Sequence, residues 1–185
     1  MCIRDSHIHV VRPSDANETL DLVEEFLTAT SPVTTAMVLS RQDVTVFNDS
    51  DAKASKAGAR RGGYVVRESD AAVFTLVGTG SEVQHCVAAN DLLAAEGIVT
   101  RVVALPCWRC FDAQPSAYRD EVLRRSIPSV SMEAGATLGW TKYVDQALGI
   151  DSFGMSAPGS YVMDYFNINA ATIVAHVHEA LGDTR

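Results

Sequence analysis

Leu76-Val77-Gly78-Thr79-Gly80-Ser81-Glu82-Val83 decides the fold of this chain. The run Ala72–Val77 is apolar and rich in strand-forming residues, and it ends on two closely spaced glycines. From Ser81 to Glu96 the pattern changes to a helical one, with Val83, Cys86, Val87, Leu93 and Ala94 as the inward set. A strand, a tight small-residue turn and a helix in that order make the unit of a parallel α/β sheet. The same grammar returns at Met132-Glu133-Ala134-Gly135 and at Phe153-Gly154-Met155-Ser156-Ala157-Pro158-Gly159.

Working outward, Gly97 ends the first helix, Val99–Leu105 is the next strand, and Pro106 closes it. The expected elements then run as a helix over Tyr118–Arg125, a strand over Ser129–Glu133 and a helix over Leu138–Leu148. A short strand over Ile150–Phe153 and a helix over Ala170–Leu181 finish the chain. In the last helix Ile173, Val174, Val177 and Leu181 form the apolar face. This repetition predicts an α/β fold with a mostly parallel sheet flanked by helices. Upstream, Gly62-Gly63 opens a strand at Tyr64–Arg67, and Gln42–Arg61 reads as a linker of Asp, Ser, Lys, Ala and Gly holding a domain boundary. Before it lie a strand over His7–Arg12, a helix and a buried strand over Val33–Leu39. Asp15 offers the helix an N-cap with Glu18 at capping-box spacing. The helix would bury Leu20, Val23, Phe26 and Leu27. Strand, helix, strand is too little for a core of its own. Met1–Ser6 continues no later pattern and reads as translated adapter rather than native sequence.

The chain has 185 residues, 47% of them hydrophobic and 21% charged, enough for a packed core. A formal charge of −8 without a basic cluster argues against a nucleic-acid partner. No apolar run reaches the length of a membrane span, and the amino terminus lacks a signal-peptide core. With that balance a cytoplasmic location is expected, and Cys2, Cys86, Cys107 and Cys110 are expected to be reduced thiols.

Four patterns invite a chemical reading. The turn Gly78–Ser81 offers backbone N–H groups to an anion, but the third glycine of a dinucleotide fingerprint is missing. The preferred reading is a tight turn with Ser81 as helix cap. His7-Ile8-His9 resembles the paired metal ligands that open amidohydrolase barrels, yet His85, His176 and His178 fall on helices, where further strand ligands are needed. Cys107-Trp108-Arg109-Cys110 has the spacing of a redox pair. A thioredoxin-like site needs a helix directly after it, whereas Phe111–Pro115 intervenes, so incidental thiols are the preferred reading. Arg41, in Ser40-Arg41-Gln42 at the carboxy end of a strand, suits a phosphate or carboxylate clamp. A surface ion pair with Asp43 or Asp15 explains it equally well. Neither Ser81 nor Ser156 sits in a nucleophile elbow, and no catalytic residue is assigned.

Seven segments in order resemble transketolase: Arg12-Pro13-Ser14-Asp15-Ala16-Asn17-Glu18, Leu39-Ser40-Arg41-Gln42, Gly62-Gly63-Tyr64-Val65, Gly78-Thr79-Gly80-Ser81-Glu82-Val83, Phe111-Asp112-Ala113-Gln114 with Tyr118-Arg119, Glu133-Ala134-Gly135 and Phe153-Gly154-Met155-Ser156-Ala157-Pro158. The resemblance implies residues 1–50 as the end of a thiamine-diphosphate pyrimidine-binding domain (1–6 not native) and 51–185 as the family's carboxy-terminal domain. It also implies an enzyme that transfers a two-carbon ketol unit between sugar phosphates in the pentose phosphate pathway. That enzyme would use thiamine diphosphate and a divalent cation, magnesium or calcium, and work as a homodimer. On this reading Arg41 grips the substrate phosphate. The groups that hold cofactor and metal belong upstream of this chain, so none is expected here and the chain alone is expected to be inactive. Two alternatives are a non-catalytic partner subunit of a split transketolase and the equivalent domain of another thiamine-diphosphate enzyme, such as a deoxyxylulose-phosphate synthase or a 2-oxoacid dehydrogenase beta subunit.

Overall fold

The computed structural model describes residues 8–29, 33–47 and 58–182. Strands β3 (Tyr64–Arg67), β4 (Phe74–Gly78), β5 (Thr100–Ala104), β6 (Ser129–Met132) and β7 (Gln146–Leu148) form one sheet in the order β3-β5-β4-β6-β7. All pairings are parallel except that of β3 with β5. Strands β1 (Ile8–Val11) and β2 (Thr34–Met37) form a separate parallel pair, with Ile8 opposite Thr34, joined by α1 (Ala16–Thr28).

Side-chain alternation along the central strands explains why both faces are covered. Leu76 and Val102 point into a core built with Val83, Cys86, Ala89 and Leu93 of helix α2 (Val83–Ala95) and with Ile173 and Val177 of the closing helix (Ala170–Ala180). Their neighbours Val77 and Val103 point the other way. There they meet Phe111 of helix α3 (Trp108–Asp112), Val122 and Leu123 of helix α4 (Ser116–Leu123), and Trp140. Helix α5 (Gly159–Tyr165) precedes the closing helix, α6. Gly97 closes α2 with its own N–H on Ala94 O and the Ile98 N–H on Leu93 O, a paired C-cap.

Several expected elements differ. The segment expected as a helix over Leu138–Leu148 is a 3₁₀ turn, Trp140–Lys142, followed by β7. Asp145 accepts from both the N–H and the hydroxyl of Ser129, which draws this segment alongside β6 as a strand. Ile150–Phe153 is loop, held by the bond from Ile150 N–H to Gly135 O and by the Asp151 carboxylate, which accepts from the N–H and the hydroxyl of Thr137, and Phe153 is fully exposed. Ala94 faces solvent rather than the core. Helix α3 was not anticipated, nor was α5.

The amino-terminal unit departs most in burial. Asp15 caps α1 as expected, accepting from Glu18 N–H at 2.9 Å, but the reciprocal bond goes from Ser14 N–H to the Glu18 carboxylate. The buried face of α1 is Glu18, Asp21 and Leu22, with Phe26 partly covered. Leu20 and Leu27 are 67% and 81% exposed, and β2 is paired but not buried. Leu22 and Phe26 lie next to the main core, and that contact sets the rotation of the helix.

Candidate functional site

The site is assembled where β1 meets the Gly78–Ser81 turn. Arg12 follows β1 directly; its N–H donates to Pro106 O at 2.9 Å, and its carbonyl accepts from Gly80 N–H at 3.0 Å. Gly80 has φ +59°, so a side chain here would be strained by the backbone, although a Cβ would meet the Arg12 side chain only at ordinary contact distance. The Arg12 guanidinium reaches Glu82 at 3.2 Å and makes a second, very short contact with Glu133. Ser81 Oγ donates to Glu82 at 2.6 Å, and Trp140 Nε1 donates to the other Glu133 oxygen. Glu82 is fully buried and Glu133 nearly so. One cation therefore bridges two buried carboxylates, and each carboxylate holds a further donor.

Two of the N–H groups that an anion would use are engaged: Gly80 N–H by Arg12 O and Glu82 N–H by Thr79 O at 3.3 Å. The buried Glu82 carboxylate in the same turn disfavours an external anion further. The tight-turn reading stands, with one correction. Ser81 does not cap α2; its hydroxyl serves Glu82, and Thr79 precedes the 3₁₀ turn Gly80–Glu82 without a side-chain cap.

Arg41 lies beyond the carboxy end of β2 and is exposed. It shares a cavity of about 280 Å³ with Arg12, Ser40, Gln42, Ser81 and Glu82. Gln42 Nε2 donates to Ser81 Oγ at 3.2 Å and ties the two loops together. The structure thus brings the Ser40-Arg41-Gln42 segment and the Gly78–Ser81 turn to one cavity at the carboxy ends of β2 and β4. That edge is where α/β sheets gather ligands. Among the described residues Arg41 forms no ion pair. Asp15, its candidate partner, instead accepts the N–H groups of Glu18 and Phe47. Next to this cavity a groove of about 480 Å³ runs along Pro13, Ala16, Leu20, Val23, Leu39 and Val44, open and largely apolar.

The remaining patterns do not join this site. His7 lies outside the described residues; His9 sits on β1 beside Phe26 and Cys110. His85 is on α2, and His176 and His178 are on α6. Among the described residues no three His, Cys, Asp or Glu side chains converge for a metal ion. No helix among them is long and apolar enough to cross a membrane.

The profile of the family described as Transketolase-like TK C-terminal domain matches residues 62–169. The chain belongs to this family. Transketolase from Geobacillus stearothermophilus is 40% identical over 95% of this chain and 27% of its own length. The transketolase of Cereibacter sphaeroides is also 40% identical, over 95% of this chain and 26% of its own. Among solved structures, transketolase from Leishmania mexicana superposes with a TM-score of 0.86 at 35% identity, covering 94% of this chain and 25% of that one. This transketolase-family chain thus spans about a quarter of the relatives it matches. Its mostly parallel, helix-flanked sheet is the expected fold.

Sequence reading missed the Arg12–Glu82–Glu133–Trp140 cluster as a unit. Its only local signal was charge placed directly at strand ends, which also fits surface residues. Glu18 was read as a capping residue. It is in fact entirely buried, and burial raises its pKa from 4.5 to about 7 against the opposing hydrogen bonds from Ser14 and Tyr64.

Proposed function

We propose that this chain is the carboxy-terminal portion of a transketolase, an enzyme that moves a two-carbon ketol unit between sugar phosphates. Residues up to 50 belong on this reading to the pyrimidine-binding domain and 51–185 to the carboxy-terminal domain. The observation that carries it is the extent of the likeness. Relatives named transketolase match 95% of the chain, taking in the β1–α1–β2 unit as well as the five-stranded sheet. The uncovered apolar groove of that unit supports the same reading, because the rest of a pyrimidine-binding domain would bury it.

Thiamine diphosphate supplies the carbanion chemistry in such an enzyme. The described residues offer no convergent donor set for its divalent cation. What this chain contributes is substrate holding. The Arg41 guanidinium presents paired N–H donors that match a phosphate. Ser40 and Gln42 flank it with a hydroxyl and an amide. The Arg12 cluster keeps the neighbouring turn in place behind the cavity. No group of this chain is assigned to bond making or breaking, and the isolated chain is inactive on this reading. The working enzyme is a cytoplasmic homodimer.

A domain exchange tests the proposal. Residues 7–185 replace the corresponding last quarter of the Geobacillus stearothermophilus transketolase, and ketol transfer is measured on a phosphorylated acceptor. Activity within about tenfold of the parent supports the reading; each tenfold corresponds to about 1.4 kcal/mol of barrier. A chimera that is folded and binds thiamine diphosphate but transfers no ketol unit contradicts it.

A further inference from the structure

The proposed function makes no use of Cys107 and Cys110. Sequence reading set them aside because no helix was expected directly after the pair. The structure removes that objection: α3 begins at Trp108, immediately after Cys107, and contains Cys110. Both are free thiols, and they stand three residues apart, Cys107 at the N-cap and Cys110 in the first turn of α3. A disulfide needs Cα atoms about 4.4–6.8 Å apart, and one helical turn, with a pitch of about 5.4 Å, supplies that span.

The surroundings of the two sulfurs differ in a useful way. Cys107 is buried, while Cys110 is partly exposed. The Cys110 S–H, the backbone N–H groups of Arg109 and Cys110 and the Arg109 charge all favour a thiolate at Cys107, and they draw its pKa down. Cys110, as the proton donor of the pair, is pushed up. The contrast is Cys86 on α2, a thiol in an apolar core whose pKa burial pushes up with no donor to offset it. His9 Nδ1 stands 3.8 Å from Cys110 Sγ. Burial, and then Arg109, lower the His9 pKa, so a neutral imidazole faces the sulfur. The pair is also fixed from behind. Cys107 N–H donates to Gly62 O at 3.1 Å, and Gly62 (φ +82°) packs so tightly that a Cβ there would lie 2.7 Å from Cys110 Cβ.

We propose that Cys107 and Cys110 form a thiol–disulfide exchange site, oxidised by a low-molecular-weight disulfide of the glutathione class. In the singly ionised pair the proton rests mainly on Cys110. Its transfer to Cys107 gives the minor form, in which the accessible Cys110 thiolate attacks one sulfur of the incoming disulfide. A mixed disulfide forms, and the first thiolate leaves, taking up the Cys107 proton. The Cys107 thiolate then attacks Cys110 Sγ; the bond to the incoming half breaks, and the second thiolate departs. The protein loses two electrons as its S–S bond forms, and the small disulfide gains them as two thiol equivalents. A dithiol reverses the sequence.

The test uses the full chain, equilibrated in glutathione buffers poised from the cytosolic to the oxidising secretory range. Samples are acid-quenched and alkylated, and the peptide carrying both cysteines is weighed. The expected result is loss of both alkyl groups from that peptide, which becomes lighter than its free dithiol form by two hydrogens, with recovery of both after dithiothreitol. Cys107→Ser should then trap one glutathione on Cys110. The proposal is overturned if the wild-type peptide keeps both alkyl groups throughout, or if its oxidation yields only glutathione adducts, bonds to Cys2 or Cys86, or bonds between chains. The wild-type titration decides even where a variant fails to fold.

Discussion

Glu18 gives the most demanding test of the packing between the amino-terminal unit and the main sheet. Its carboxyl is entirely buried at the start of α1, with Ser14 and Tyr64 as hydrogen-bond partners, and burial raises its pKa from 4.5 to about 7. Below about pH 4.5 folded and unfolded chains both carry the proton, and above about pH 7 neither does. Between these values the unfolded chain has released the proton and the folded chain retains it. The folded state therefore binds more protons, and stability falls as pH rises through that window. At about 1.4 kcal/mol per pH unit, the loss from pH 4.5 to 7 accumulates to about 3 kcal/mol. Glu18→Gln keeps an acceptor for the Ser14 N–H and carries no charge. It should match the wild type near pH 4.5 and exceed it above pH 7 by up to about 3 kcal/mol. With a urea dependence of about 2 kcal/mol per molar, the unfolding midpoint of the variant should lie about 1.5 M higher at pH 8. Midpoints for both proteins across pH 4.5–8 measure this. Parallel pH profiles, or a variant less stable at pH 8, would refute the reasoning.

Three other outcomes follow from the same structure. Arg12→Met leaves two buried carboxylates with only their Ser81 and Trp140 donors and should cost about 3 kcal/mol by urea unfolding; adding Glu82→Gln and Glu133→Gln should recover more than half, and a cost of Arg12→Met below about 1 kcal/mol would count against the clasp. In the chimera, Arg41→Ala should leave stability within about 0.5 kcal/mol but weaken use of phosphorylated acceptors about ten- to a hundredfold, the worth of a lost charged hydrogen-bond pair. Equal losses on unphosphorylated acceptors would speak against phosphate binding. Amide exchange in the isolated chain should be faster across α1 and β2, with Leu20 and Leu27 uncovered, than in the fully buried strands β4 and β5; uniform protection would mean the amino-terminal unit is complete as it stands.

The central sheet was legible because its signals are local. Strands β4 and β5 are buried throughout, mostly apolar, and bounded by Gly78 and Pro106, and Gly97 ends the intervening helix, so residue type alone marks each boundary. The stretch before β7 was misread because Leu138–Leu148 carries a helix-compatible apolar spacing. The bonds from Ser129 to Asp145 that hold it beside β6 span sixteen residues and leave no local trace. Burial of α1 failed for a related reason. Periodicity located its apolar stripe, but contact with the main core selects Glu18 and Leu22 instead of Leu20 and Leu27. At the cavity, Arg41 and the Gly78–Ser81 turn were each visible as single features. Their meeting depends on the Gln42–Ser81 bond and on Arg12 reaching across to Glu82 and Glu133, pairings between residues far apart in sequence.

The claim that this chain works as the last part of a longer transketolase is tested most directly by the size of the native polypeptide. Cells carrying the natural gene are lysed in denaturant, separated by mass and probed with an antibody raised against Ala170–Ala180, the α6 segment. Because the chain spans 27% of its Geobacillus relative, the account predicts a band of roughly four times the mass of this chain. A single band at the size of the chain itself would contradict it and would make the protein a free-standing module.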